Sequence, residues 1–187
     1  MADRFSRRDV LAMGAGVLAF SPVVALADLR IKKPVKFGLI TDVHHGLAPD
    51  ALQRLRVFID EARTRDLDFV IQVGDFNHPT AEARAFLDVW SDYRGPRYGV
   101  LGNHDMDMGT KEDAIQFWSI PSRYYAFDSG ELHCVVLDAN NIYENGRYEP
   151  YANANFYRSG SVISHIDDEQ FDWFAHEVFT TNKQTIV

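Results

Sequence analysis

Three short apolar runs, at 35–40, 69–73 and 98–101, alternate with two stretches of helical period, and each run breaks off into a polar cluster. No other feature confines the fold as tightly. Strand, helix, strand, helix, strand is the rhythm of βαβ units around a parallel sheet. Between the first two runs, Leu52, Leu55, Phe58, Ile59 and Ala62 recur at helical spacing and predict an amphipathic helix over about 50–65. Between the second and third, Ala83, Phe86, Leu87 and Trp90 predict another over about 80–93.

In open α/β sheets, ligands bind beyond the carboxyl ends of the strands. The three polar clusters should therefore converge: Asp42 and His44, then Asp75 and Asn77, then Asn103, His104 and Asp105. Carboxylate, imidazole and amide oxygen together compose a site for a divalent transition metal. Asp42 and His44 stand two apart on a chain leaving the sheet, so both can turn toward one ion. Asp75 follows Gly74, which lets the backbone approach closely, and its two oxygens can serve two ions. Asn103 offers a neutral oxygen to the second ion, and His104 beside Asp105 forms a candidate acid–base pair.

The pattern changes after residue 110. A short helix is expected over 111–118, a hairpin around Asp128-Ser129-Gly130-Glu131, and a helix over 167–179. Asp167 and Gln170 are spaced as a capping box for that last helix, with Phe171, Phe174 and Val178 on its buried face. Thr185-Ile186-Val187 reads as the start of another strand. Residues 139–164 show no period and read as one long loop. Its Tyr143, Tyr148, Tyr151, Phe156 and Tyr157, with Arg147 and Arg158, suit either a segment packed on its own rings or a substrate lid, the former being favoured. Trp90, Trp118 and Trp173 are expected in the core, and Asp138 in a turn. His45, His78, His133, His165 and His176 are read as structural, and Asp107 carries no assignment. The lone Cys134 lies in an apolar run and reads as a buried thiol.

The first 27 residues read as an address. Arg7 and Arg8 precede an uncharged run at 11–27 that ends in Ala25-Leu26-Ala27. The run is short for a membrane span and holds two glycines and a proline. It resembles a twin-arginine export signal. The expected organisation is a leader over 1–27 and one domain over 28–187, periplasmic or secreted, with no stable membrane anchoring once the leader is cleaved.

The blocks Asp42-Val43-His44-His45-Gly46, Gly74-Asp75-Phe76-Asn77 and Gly102-Asn103-His104-Asp105 resemble, in order and placement, the first three blocks of the calcineurin-like metallophosphoesterases. The resemblance implies a four-layer αββα sandwich, present here as its N-terminal part, and a centre of two manganese, iron or zinc ions. It implies one metal on Asp42, His44 and Asp75, and the other on Asp75 and Asn103. A hydroxide held between them would attack phosphorus, His104 would protonate the leaving oxygen, and Asp105 would orient the His104 ring. The substrate so implied is a small phosphomonoester, phosphodiester or nucleotide-like diphosphate.

Family members carry a further histidine block and a Gly-His-x-His block beyond the strand that begins here at Thr185. Neither occurs in this sequence. The second metal is therefore expected to bind weakly, and the sheet to lack the strands that cover its other face. Two readings follow: the front portion of a hydrolase, or an inactive remnant that binds one metal or a phosphorylated ligand. The net charge of −8, without a basic stripe, argues against a long nucleic-acid substrate. Oligomeric state is not legible.

Overall fold

The computed structural model describes residues 33–158 and 164–187. The expected leader lies outside them. Among the described residues, no helix is long and apolar enough to cross a membrane.

The alternation read from the sequence is realised as β1 (Phe37–Ile40), α1 (Ala51–Arg63), β2 (Phe69–Val73), α2 (Arg84–Ser91) and β3 (Arg97–Val100). The strands form a parallel sheet in the order β1-β2-β3, with Phe37 beside Phe69 and Val70 beside Arg97. β2 lies in the middle and sends side chains to both faces. Val70 packs with Leu55 and Ile59 of α1 and with Phe86, Val89 and Trp90 of α2. α2 is shorter than its predicted span because its first turn, Ala81–Ala83, is a 3-10 turn.

Phe69 points to the other face, and here one expectation is overturned. A second sheet covers that face, built from β4 (Tyr125–Ser129), β5 (Leu132–Val136) and β8 (Gln184–Ile186) in the order β4-β5-β8. Phe69 buries itself with Leu132 and Cys134 of β5, and burial pushes the Cys134 thiol up. The Tyr125 hydroxyl crosses between the sheets, accepting from Gly99 N at 3.0 Å and donating to Gly99 O at 2.9 Å. Burial pushes that hydroxyl's pKa up to about 12. α4 (Asp168–Thr180) lies against the outer face of this sheet, where Glu177 meets His133 of β5 at 3.2 Å and Trp173 meets Tyr124 at 4.7 Å between ring centres. The layers thus run helices, sheet, sheet, helix.

α4 departs from the reading in one detail. Asp167 caps it by accepting from Gln170 N at 2.9 Å, but the Gln170 side chain does not reach back. It is fully buried and bonds both backbone groups of Asp138, at 2.6 and 2.7 Å. Gln170 and Ala175 are the buried positions, while Phe171, Phe174 and Val178 are half-buried.

The stretch read as a shapeless loop contains a hairpin, β6 (Asn141–Glu144) and β7 (Arg147–Pro150). Asn145 and Gly146 sit at its tip with φ of 52° and 77°. Asn-Gly with both residues left-handed is the turn that matches strand twist, so this signal was present in the sequence. α3 (Lys111–Trp118) starts with a capping box between Thr110 and Asp113. Its first residue, Lys111, is buried and donates to Asp138 at 2.5 Å and to Asn141 at 2.9 Å.

Candidate metal centre

The loops after β1, β2 and β3 meet at one end of the first sheet. The first two continue the parallel pairing beyond the strands: Asp42 N donates to Gly74 O at 3.1 Å, His44 N to Asp75 O at 2.8 Å, and His45 N to Phe76 O at 3.0 Å. The second and third loops come closer still, because Gly74 and Gly102 face each other. A Cβ on Gly74 would stand 2.9 Å from the Gly102 Cα. A Cβ on Gly102 would overlap both the backbone nitrogen and a carboxylate oxygen of Asp75.

That approach is held by Asp105. Its carboxylate is 1% exposed and accepts four backbone N–H groups: Phe76 at 2.7 Å, Asn77 at 3.1 Å, Asp75 at 3.0 Å and Gly102 at 2.8 Å. Burial pushes this carboxyl well above the usual range and nearby Asp75 adds to the push, while the donors from Gly102, Phe76 and Asn77 oppose it. The fully committed oxygens correct the expected role of Asp105. It does not orient His104; it ties the second loop to the third.

Three sequence-predicted ligands come together. Ligand atoms of Asp42, His44 and Asp75 all lie within 4.8 Å of one another. His44 Nε2 is 3.7 Å from an oxygen of Asp42 and 3.7 Å from an oxygen of Asp75. These gaps are too long for hydrogen bonds. They are near the ~3.4 Å that separates two ligands bound tetrahedrally to one ion with bonds of about 2.1 Å. Two carboxylates and an imidazole are a donor set that fits manganese, iron or zinc. All three residues have left-handed backbones, with φ of 53° at Asp42, 54° at His44 and 51° at Asp75. Asp and His tolerate that region better than most residues, and such strain gathers at functional sites. Asp75 is further fixed by His104 N, which donates to its Oδ1 at 3.0 Å. Asn103 is half-buried on the same loop, between Gly102 and His104.

The His104 ring lies edge-on to the His44 ring, with centres 5.1 Å apart. Its Nδ1 is 2.9 Å from Asp107 Oδ2 and 3.0 Å from the Tyr157 hydroxyl. Neither partner was foreseen. Yet His104–Met106 is a 3-10 turn, and in such a turn side chains at i and i+3 eclipse, so His104 and Asp107 had the right spacing. Tyr157 arrives from far along the chain. Its segment is strapped down by Ala154 N donating to Met106 O at 3.1 Å and Asn153 N to Gly109 O at 2.8 Å. Buried Tyr151 and Phe156 pack beneath. His78 Nε2 stands 3.6 Å from Asp107 Oδ2, while His45 turns away onto the Phe86 ring, 4.4 Å between centres. Burial, with His78 nearby, draws the His45 imidazole below its ordinary value.

Two stacked sheets between helices, with Asp, His and Asp converging beyond the strand ends, define an α/β sandwich of metal-binding type. The calcineurin-like phosphoesterase pattern matches residues 35–185, and the chain belongs to that family. Its fold is similar to that of a dimetal phosphatase from Danio rerio, at 16% identity and a TM-score of 0.55, over 76% of this chain and 64% of that one. A purple acid phosphatase from yellow lupin matches at 15% identity and a TM-score of 0.43, over 79% of this chain and 28% of that one. This chain therefore spans under two thirds of either protein's length. No curated protein matches it.

Proposed function

We propose that this chain provides the strand-end half of a two-metal centre that hydrolyses small phosphoesters. The observation that carries the reading is the convergence of Asp42, His44 and Asp75 within 4.8 Å on three left-handed backbones, the first loop bonded to the second through its backbone and the second to the third through Asp105. Asp42, His44 and Asp75 would hold the first ion, and Asp75 with Asn103 would contribute to a second. Bound ions supply Lewis acidity toward phosphoryl oxygens and a water of lowered pKa. His104, beside this group, delivers a proton to the departing oxygen. The substrate class is a phosphomonoester, phosphodiester or nucleotide-like diphosphate, met outside the cytoplasm after twin-arginine export; the leader-like sequence at 1–27 supports that location.

A titration of the chain with Mn²⁺ by calorimetry, alongside hydrolysis of p-nitrophenyl phosphate, tests the reading. The chain should bind one ion through Asp42, His44 and Asp75, and Asp42→Ala should weaken that binding by at least about 10-fold. Turnover of the ester would refute the inactive-remnant reading, since it requires both ions to load. Equal binding by Asp42→Ala and the unaltered chain would place the metal elsewhere.

A further inference from the structure

The outer face of the second sheet holds a cavity of about 580 Å³, a volume in the range of small-molecule sites. Trp173 and Glu177 of α4 form one wall; Tyr124, β4 and His133 of β5 form the other. Along β4, Tyr125 and Phe127 turn toward the first sheet, so Ala126 and Asp128 face outward, and the small Ala126 leaves the floor open. None of the lining residues belongs to the loops after β1, β2 or β3, so this cavity is separate from the metal centre.

Its charges are unevenly answered. Two carboxylates line it, and neither Lys nor Arg does. Asp128 is satisfied: His133 donates from Nδ1 to Oδ1 at 2.8 Å, and Lys183 Nζ meets Oδ2 at 2.9 Å from outside the cavity. Glu177 is not. Its Oε2 stands 3.2 Å from His133 Nε2, yet among the described residues neither group makes a hydrogen bond. The His133 residue is 8% exposed and the Glu177 side chain 27%, so this carboxylate is largely withdrawn from water without a donor in return. That is a costly state for a charge, and a donor entering the cavity relieves it. Beside Glu177 the Trp173 and Tyr124 rings stand 4.7 Å apart, tilted by 46°. Tyr124 already carries one cation, the Arg123 guanidinium at 4.6 Å from its ring centre, which Asp167 holds in place at 2.7 Å.

We propose that this cavity binds a small primary amine with an apolar body, its ammonium on Glu177 and its body against Trp173 and Tyr124. An ammonium brings a positive charge and three donors in a compact head. A neutral hydroxyl offers a donor without the charge, and an anion would face both carboxylates. The proposal is independent of the hydrolase reading.

Calorimetric titration of the chain with phenethylamine tests it, near neutral pH, in physiological salt and with a chelator present. Phenethyl alcohol, of the same shape without the charge, is the control. The amine should bind saturably and the alcohol at least about tenfold more weakly. Glu177→Gln should weaken the amine by at least about tenfold, and Trp173→Leu by about 3–10-fold. Ala126→Leu fills the floor from the opposite wall and should abolish binding, so it decides the matter if the Glu177 variant fails to fold. Asp42→Ala should leave amine binding within about twofold, as befits sites that share no partner. Absence of saturable binding, equal binding of amine and alcohol, or binding that survives Ala126→Leu would overturn the proposal. A loss in Asp42→Ala with none in Glu177→Gln would overturn it too, placing the amine among the carboxylates of the metal centre.

Discussion

Gly102→Ala is the most economical test of how the centre is assembled. An added Cβ would lie inside 3.0 Å of both the backbone nitrogen and a carboxylate oxygen of Asp75, where ordinary contact begins at 3.4 Å. The obstructing nitrogen is backbone, so no rotamer change relieves it. The second and third loops would have to part, and overpacking of this kind costs about 1–3 kcal/mol. Parting them also pulls on Asp105 Oδ2, which accepts from Asp75 N at 3.0 Å and Gly102 N at 2.8 Å. Losing one such bond to a carboxylate adds about 1.5–3 kcal/mol. A total of about 2.5–6 kcal/mol corresponds, at a urea slope of about 2 kcal/mol/M, to a midpoint lowered by about 1.2–3 M. Tryptophan fluorescence can follow the transition, because Trp90 lies in the main core. Gly146→Ala is the control: its φ of 77° faces open space, so it carries only the left-handed backbone cost of about 1–2 kcal/mol. A Gly102→Ala midpoint within about 0.3 M of the unaltered chain would refute the account of the two loops held in contact.

Two further outcomes follow from charges away from the centre. Lys111→Met should destabilise the chain by about 3 kcal/mol in urea melts, because it leaves the fully buried Asp138 carboxylate with Arg123, at 3.5 Å, as its nearest cation and with only Asn140 donating to it, at 3.0 Å. Burial draws the Lys111 ammonium below its ordinary value, with Asp138 pulling the other way. Asp128 is held below its ordinary value of 3.8 by hydrogen bonds from His133 and Lys183. Its stabilising contribution is complete above that value and is lost as pH falls through the lower folded value. Asp128→Asn should therefore flatten acid unfolding below about pH 4, followed by circular dichroism, and an unchanged acid limb would contradict the assignment.

Much of this architecture was legible in the chain. The alternation of apolar runs and helical period predicted β1 to β3 and both helices between them, because burial of one face imposes those periods locally. The three ligand residues Asp42, His44 and Asp75 were legible for a related reason: strand ends in a parallel sheet point to one place. The β6–β7 hairpin was legible too, in Asn145-Gly146, but its strands are short and exposed and carry no apolar alternation. The strands of the second sheet were legible as well, in the hairpin around 128–131 and the strand start at Thr185, but not that they cover the first sheet, because β8 is only three residues long and reaches β5 from the far side of α4.

What the sequence by itself determined is the set of elements and the chemistry brought to each strand end, since propensity, period and residue type act over a few positions. What only the tertiary structure decided is which partner each polar group takes. Asp105 and Asp107 are two positions apart and chemically identical, yet one binds four backbone N–H groups of two loops and the other binds an imidazole. Gln170 had the spacing to bond its own helix and instead holds Asp138 across the core. Hydrogen bonds act over about 3 Å and depend steeply on angle. Their pairing is therefore set by how loops and layers close on one another, after the local pattern has done its part.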